Sequence, residues 1–150
     1  MLSIAHTLIS LPFAFLFQNP ILLFLAAATM HLFADTLLHW NIYPYKFRRY
    51  PFELVALDVG GGIAIAWLLL GSQFFTLPVL VAIAGGNAPD IFHAFWEFLS
   101  PRQKNKVPRW LKKAFHTHDS LQLETTKVGK GLVSQAISVA LAILIVHIVK

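Results

Sequence analysis

Long stretches without charged residues are the feature that most constrains the fold of this chain. Five segments are mostly apolar, and each approaches the roughly 20 residues that a helix needs to cross a bilayer. They are Leu2–Phe17, Ile21–Trp40, Phe52–Leu70, Phe74–Leu99 and Leu132–Val149. Only 13% of the residues are charged and 57% are hydrophobic, whereas soluble domains carry about 25% charged residues. The sequence therefore predicts an all-α integral membrane protein, a bundle of about five transmembrane helices that forms one domain over residues 1–150.

Breaks and a short amphipathic stretch refine this prediction. The first segment is the weakest because it is short and Pro12 should kink it, so we expect either a crossing or a re-entrant helix. The Gln18-Asn19-Pro20 sequence predicts a tight turn into the second segment. The stretch Pro108–Phe115 predicts a short interfacial helix. Gly85-Gly86 followed by Pro89 predicts a loosened or broken fourth helix.

Basic residues set the predicted orientation. Eleven of the twelve Lys and Arg residues lie in two loops, residues 41–51 and 100–131, which five crossings place on the same membrane face. The positive-inside rule makes that face cytoplasmic, with the N-terminus inside and the C-terminus outside. The positive charge therefore reports topology, and we expect a multi-pass protein of the cell membrane surrounded by lipid, with no nucleic-acid partner. Self-association into an oligomer is left open.

Polar and ionisable side chains gather in the cytoplasmic half of the predicted bundle. An acid at a helix centre costs about 2.5–3.5 kcal/mol on the insertion scale, so buried acids must be paired, protonated or bound to metal. The chain has no cysteine, which leaves imidazole and carboxylate groups as metal ligands. The residues that converge are His6, His31, Asp35, His39, Asp58, Asn87, Asp90, His93 and Glu97.

This convergence predicts a divalent metal site. The expected ligands are His31, Asp35, Asp90 and His93, with His6 and His39 next. The helical rise separates His31 from His39 by about 12 Å, too far for one ion with His–N bonds of about 2.0–2.1 Å. His39 is therefore expected to serve a second ion or to orient a ligand. The mixed donor set favours zinc, with manganese or iron as alternatives.

The predicted function is metal-dependent hydrolysis of a lipid or lipid-linked ester or phosphoester at the cytoplasmic membrane face. Metal-bound water can act as the nucleophile, and Glu97 or Asp58 is the expected general base. The residues expected to hold a substrate phosphate are Lys46, Arg48, Arg49 and Lys112. Two alternatives remain open: a proton or metal-ion transporter, and a non-catalytic membrane scaffold with a structural buried polar network.

Four short blocks resemble the bacterial inner-membrane metal-dependent hydrolase-like proteins. GGNAPDIFH at 85–93 is similar to their G-x-x-x-P-D-x-x-H block, and MHLFAD at 30–35, followed by NIYPYKFRRYPFE at 41–53, resembles their S-H-x-x-x-D block and the loop after it. HTHDSL at 116–121 resembles their H-R-x-x-T-H-S-L block, and Ala5-His6 resembles their N-terminal histidine. The blocks occur here in an altered order. The resemblance implies metal binding and hydrolysis, defines no substrate, and leaves the roles of His116 and His118 open.

Overall fold

The computed structural model describes residues 1–42 and 52–150 and is all-helical. Over these residues the helices are α1 (Ser3–Ser10), α2 (Phe13–Leu16), α3 (Pro20–Asp35), α4 (Phe52–Leu70), α5 (Leu77–Phe98), α6 (Pro101–Lys106), α7 (Arg109–Leu121) and α8 (Val128–Val149). A 3-10 helix, Gly71–Phe75, links α4 to α5. The prediction of an all-α fold is confirmed.

Helix α1 lies inside the bundle and contacts α3, α4, α5 and α8. Its residues 5–10 are all buried, and Leu8 packs in one core cluster with Ala66 and Leu70 of α4. The chain leaves α1 at Ser10 and starts α2 after Pro12, because proline cannot donate the hydrogen bond that would continue the helix. The first apolar segment is thus two short helices, with the interruption where the sequence predicts it.

Helix α5 carries two adjacent glycines where α3 and α1 approach it. A Cβ atom on Gly85 would lie 2.6 Å from the carbonyl oxygen of Phe24 in α3. A Cβ atom on Gly86 would lie 2.7 Å from the Cβ atom of Ser10 in α1. The missing side chains therefore allow three helix backbones to meet at one level of the bundle, which is the level of the histidine and aspartate residues described below.

Helix α5 continues through Pro89 from Leu77 to Phe98, so the predicted break does not end the helix. Proline at this position removes the N–H group that would bond to the carbonyl of Gly85. The next carbonyl, that of Gly86, accepts a hydrogen bond from His31 Nδ1 at 2.7 Å. A side chain of α3 is thereby fixed on the backbone of α5 where its hydrogen-bond ladder is weakened.

The chain leaves α3 in an extended segment that pairs with the segment following α7. The N–H group of His39 donates to the carbonyl of Leu123 at 3.1 Å, and that of Thr125 donates to the carbonyl of His39 at 2.8 Å. This bridge is the single β-type pairing in the described part of the chain. Helix α3 ends at Asp35, so the second segment, predicted as helical to Trp40, stops five residues earlier and His39 is not on the helix.

Within residues 1–42 and 52–150, two helical stretches are long and apolar enough to cross a membrane, Glu53–Phe75 and Val128–Val149. Their outer faces carry large exposed apolar side chains, such as Leu68 of α4 and Ile148 of α8, which are 75% and 74% exposed. Such faces suit contact with lipid. The other three crossings stay a prediction.

The second half of the chain departs from the predicted bounds. Helix α8 begins at Val128 rather than at Leu132, and the loop predicted over residues 100–131 contains both α6 and α7. Helix α7 extends well beyond the predicted interfacial stretch and packs on α5, where Phe115 stacks on Trp96 with ring centroids 4.7 Å apart. This packing holds the C-terminal half of α7 against the bundle.

Candidate metal centre

Three helices bring histidine and aspartate side chains to one interior point. Helix α3 contributes His31 and Asp35, α5 contributes Asp90, and α7 contributes His118. One ligand atom from each lies within 4.8 Å of those from the other three. Asp35, His31 and His118 are buried, whereas the Asp90 side chain is 35% exposed. These four side chains, called the four-ligand group below, can hold a metal ion.

The spacing within the four-ligand group is that of a tetrahedral metal site. Bonds of about 2.0–2.2 Å to one ion place neighbouring ligand atoms of a tetrahedron about 3.3–3.6 Å apart. His31 Nε2 lies 3.1 Å from Asp35 Oδ2, 3.3 Å from His118 Nε2 and 3.4 Å from Asp90 Oδ1. His118 Nε2 lies 3.5 Å from Asp35 Oδ2 and 3.6 Å from Asp90 Oδ1. Four of these five distances lie in that range, and the fifth, at 3.1 Å, is slightly shorter, so they approximate five of the six edges of such a tetrahedron.

Hydrogen bonding does not satisfy these atoms together. His31 Nδ1 donates to the carbonyl of Gly86, which is how the second ring nitrogen of a metal-binding histidine is commonly fixed. When the ring is neutral, its Nε2 lone pair is directed at Asp35 Oδ2 and His118 Nε2, and one shared proton serves only one of these contacts. Asp35 Oδ2 is buried and has no hydrogen-bond partner among residues 1–42 and 52–150. A cation between the ligand atoms would satisfy all of them.

The electrostatics of the centre also call for positive charge. Asp35 is fully buried. A second acid, Asp90, lies nearby, since both carboxylates contact His31 Nε2. A buried carboxylate is costly unless it is paired and hydrogen-bonded. Part of the compensation comes from the Met1 amine, which donates to Asp35 Oδ1 at 2.6 Å. The other oxygen, Oδ2, faces the four-ligand group.

His6 of α1 lies directly against the four-ligand group. Its ring stacks on that of His31, with centroids 3.7 Å apart and 19° between the ring planes. Its Nε2 atom lies 3.2 Å from Asp35 Oδ1 and 3.8 Å from Asp90 Oδ2. Both ring nitrogens are buried without a hydrogen-bond partner in the part of the chain that the structure describes. His6 therefore borders the four-ligand group without belonging to it.

The two remaining histidines of the prediction occupy different places. His39 Nε2 lies 3.9 Å from Asp35 Oδ1, and its Nδ1 donates to a backbone carbonyl two residues earlier at 2.8 Å. His93 of α5 instead contacts Asp119 of α7, with 3.3 Å between Nε2 and Oδ1. His93 and Asp119, together with His118, form a second group whose ligand atoms all lie within 4.8 Å of one another.

Both residues predicted as the general base already have partners. Asp58 accepts the N–H groups of Ser3 at 2.8 Å and Ile4 at 3.0 Å, so its carboxylate caps the N-terminus of α1. Glu97 forms an ion pair with Lys104 at 3.2 Å, and its side chain is 59% exposed. The structure places neither residue in the four-ligand group.

Of the four basic residues predicted to hold a phosphate, the structure describes Lys112. Lys46, Arg48 and Arg49 lie outside the described residues. The Lys112 ammonium donates to the carbonyl of Asn105 at 3.2 Å, and this bond ties α7 to α6.

A cavity of about 1040 Å³ lies beside the metal centre, between α4 and α5. Helix α4 packs mainly on α1 and the 3-10 helix rather than on α5. Apolar side chains such as Val59 and Ile91 line it together with polar ones, including Asn87 and Asp90. Asp90 thus belongs both to the four-ligand group and to the wall of this cavity, which is called the α4–α5 cleft below.

His118 is the member of the four-ligand group that sequence reasoning left without a role. The HTHDSL block that contains it was the available signal, but two histidines two residues apart cannot both face one side of a helix. In the structure His118 is buried and His116 is exposed. Only the docking of α7 on α3 and α5 distinguishes them.

Comparisons of the chain with models of protein families, with curated proteins and with solved structures found no match. The fold and the site therefore define the class by themselves. Over its described residues, this is an all-helical protein with two candidate membrane-spanning helices and a buried histidine–aspartate group that can hold a metal ion. The family resemblance of its short blocks remains a prediction.

Proposed function

We propose that this protein is a membrane-embedded, metal-dependent hydrolase that acts at the cytoplasmic membrane face on a lipid or lipid-linked ester or phosphoester. The observation that carries the proposal is the convergence of His31, Asp35, Asp90 and His118 at the spacing of a tetrahedral metal site. The proposal takes the chain as a multi-pass protein of the inner membrane. Its N-terminus and basic loops then lie in the cytoplasm, and its C-terminus lies outside.

The composition of α6 and α7 supports this orientation. Both helices belong to a loop rich in Lys and Arg, and positive loops stay in the cytoplasm. On α7, Trp110 is 70% exposed and is followed closely by Lys112 and Lys113, a combination typical of helices at the membrane interface. Because α7 also supplies His118, the metal centre lies near the same membrane face.

The donor set supports zinc as the resident ion. Two imidazole nitrogens and two carboxylate oxygens are donors that zinc accepts in tetrahedral geometry at about 2.0–2.2 Å. Manganese and iron also bind such mixed sets, but they commonly take more than four ligands. We therefore rank zinc first and treat the other two ions as alternatives to be measured.

The α4–α5 cleft supports a lipid-like substrate. Its apolar walls come partly from α4, a helix with a largely exposed apolar surface, so an acyl or prenyl chain can enter it from the bilayer. Its polar groups include Asn87 and Asp90, which would meet the ester or phosphoester end of that chain. Its volume of about 1040 Å³ is at the upper end of the range for small-molecule pockets.

The chemistry follows from these positions. A divalent ion held at this centre would supply a Lewis acid, and it would lower the pKa of a water bound to it toward 7 provided that the four protein ligands leave a coordination position open. The chain's own residues fix the geometry, since Gly86 orients the ring of His31 and the stacked ring of His6 supports it from α1. Asp90 joins this centre to the cleft where the substrate would lie. Burial of the remaining ligands excludes bulk water and strengthens the electrostatic interactions.

The test uses the detergent-purified full chain and two histidine variants. The variant His31→Gln removes a ligand, and His147→Gln, on the exposed surface of α8, is the matched control. Elemental analysis measures bound metal, and phospholipid mixed micelles serve as the hydrolysis probe, with release of fatty acid and of phosphorylated headgroup followed separately. We expect wild type and His147→Gln to bind metal and hydrolyse lipid, and His31→Gln to lose both properties.

Two outcomes would contradict the proposal. A folded wild-type protein without stoichiometric metal would remove its basis. Hydrolysis by His31→Gln at the wild-type rate would separate the reaction from the four-ligand group. Zinc or proton flux into liposomes without any hydrolysis would instead favour a transporter.

A further inference from the structure

We propose that His93, His118 and Asp119 form a second metal site, which shares His118 with the four-ligand group and opens into the α4–α5 cleft. This inference rests on the first site of the proposed function and makes the centre binuclear. Nothing in the spacing of the sequence pairs these three residues, because His93 lies on α5 and the other two lie on α7.

The possible donor atoms of His93, His118 and Asp119 lie close together. One ligand atom from each residue lies within 4.8 Å of the other two. His93 Nε2 and Asp119 Oδ1 are 3.3 Å apart, which equals the edge of a tetrahedron with metal–ligand bonds of about 2.0–2.1 Å. The rings of His93 and His118 approach each other with centroids 5.1 Å apart. The three donors thus lie close enough together that small side-chain shifts would bring them around one ion.

The two ring nitrogens of His118 have different surroundings. Its Nε2 atom is directed at the four-ligand group, within 3.6 Å of Asp35, Asp90 and His31. Its Nδ1 atom is buried and has no hydrogen-bond partner within the described ranges 1–42 and 52–150. Histidine ligands normally use the second nitrogen to donate to a carboxylate, carbonyl or water. A nitrogen buried without such a partner is the free donor that a second ion requires.

The sharing of His118 has a defined chemical form. One nitrogen lone pair binds one ion, so Nε2 serves the first ion and Nδ1 serves the second. The ring must then lose its remaining N–H proton to water and become an imidazolate. Two metal–nitrogen bonds of about 2.0–2.1 Å on opposite sides of the ring separate the two ions by about 6 Å.

Two of the three proposed ligands are accessible from the α4–α5 cleft. His93 and Asp119 both line the α4–α5 cleft, and their side chains are 21% and 54% exposed. A site with three protein ligands keeps a position open for water or substrate, whereas a site with four is closed. The second site is therefore the one that meets the substrate, and the buried four-ligand group holds the neighbouring ion and the bridging ring.

The experiment counts metal ions in the purified full chain. Wild type, Asp119→Asn and the control His116→Gln are saturated with Zn²⁺, desalted and analysed for zinc per chain. His116 is the matched control because it lies on α7 beside the site and is exposed. We expect two zinc ions in wild type and His116→Gln, and one in Asp119→Asn. The Asp119 side chain is more than half exposed, so replacing its carboxylate by the amide of asparagine should not disturb folding.

Cobalt(II) provides an independent reading of the bridge. Two cobalt ions joined by an imidazolate are magnetically coupled, and the coupling reduces the electron paramagnetic resonance signal per ion. We expect this loss in cobalt-loaded wild type and full uncoupled signal in Asp119→Asn, which retains only the first ion.

The outcomes separate this inference from the proposed function. One zinc ion in saturated wild type, or two in Asp119→Asn, would overturn the second site even if the protein hydrolyses lipid. Two zinc ions, with one lost in Asp119→Asn, would support it even if no hydrolysis is found. Two uncoupled cobalt ions in wild type would refute the shared imidazolate.

Discussion

Replacing Gly85 by alanine tests whether the metal centre depends on the close contact of α3 and α5. The new Cβ atom would lie 2.6 Å from the Phe24 carbonyl oxygen and 3.0 Å from Ala27 Cβ. Ordinary contact begins at 3.4 Å, so the two helices must separate locally by about 0.8 Å. Backbone atoms of α3 form part of this contact, so a change of side-chain rotamer cannot relieve it.

The size of the effect follows from that displacement. Overpacking of this kind costs about 1–3 kcal/mol, which lowers the melting temperature by about 2–4 °C per kcal/mol for a chain of this length. The same movement shifts His31 and Asp35 of α3 relative to Asp90 of α5. Metal sites tolerate errors of about 0.2 Å in bond length, so we expect a loss of metal affinity of about 10–100-fold.

The control is Gly60→Ala in α4, where a Cβ atom would have nothing within 4 Å. There the substitution should stabilise the helix by about 0.5–1 kcal/mol. Thermal unfolding in detergent, followed by circular dichroism, and zinc titration of both variants provide the comparison. If Gly85→Ala has the same melting temperature and zinc affinity as Gly60→Ala, the metal centre does not depend on the close contact of α3 and α5.

Three further predictions follow from the contacts of single residues. The variant Asp58→Asn should lose about 1–3 kcal/mol of unfolding free energy, because an amide oxygen replaces only one of the two acceptors that cap α1. Its zinc content should stay unchanged, and a metal-free Asp58→Asn would place this residue in the metal centre. The variant His39→Gln should retain its zinc, since His39 Nε2 lies outside the four-ligand group, and loss of one ion would make it a ligand. Bound zinc should be released as the pH falls below about 6, because protonated imidazole cannot bind metal; retention of zinc by wild type at pH 4, measured after desalting, would argue against histidine ligands.

Much of the fold could be predicted because apolar segments leave few choices. Long runs without charge become helices in lipid or in a helical core, and Pro12 interrupts the first of them where a missing N–H group requires it. The spacing of four residues between His31 and Asp35 holds in α3, since both lie on one helix face. Periodicity within one segment was sufficient for these features.

Features that depend on contacts between segments could not be predicted. The end of α3 is set partly by the Leu123 N–H group, which donates to the carbonyl of Asp35 at 2.9 Å, so His39 leaves the helical stripe. Asp58 resembles a catalytic acid in sequence, but its partners are backbone groups of α1. His118 joins the four-ligand group because of the way α7 docks, which no local pattern encodes.

The buried polar residues fall into two kinds, and the difference bears on the scaffold hypothesis. Asp58 caps α1, and Gln135 accepts the Leu2 N–H group at 2.9 Å while donating to the Trp40 carbonyl at 2.9 Å. Such residues are fully partnered, as expected for structural hydrogen bonding between membrane helices. The scaffold hypothesis explains them but does not explain a second kind of group in the same bundle.

That second kind consists of buried ring nitrogens and a buried carboxylate oxygen that have no hydrogen-bond partner in the described part of the chain. Asp35 Oδ2, His6 Nε2 and His118 Nδ1 are buried without hydrogen-bond partners in the described part of the chain. Each buried polar atom left in this state costs about 1–3 kcal/mol, and three of them would consume much of the 5–15 kcal/mol that stabilises a typical domain. His6 Nδ1, His39 Nε2 and His93 Nδ1 are in the same state, so the unpartnered atoms gather in and beside the two groups of metal-ligating residues, whereas Asp58 and Gln135 are paired. Ions that bind these atoms would remove that cost, so metal-free protein should be markedly less stable than the zinc form, and equal stability of the two would return the scaffold hypothesis to first place.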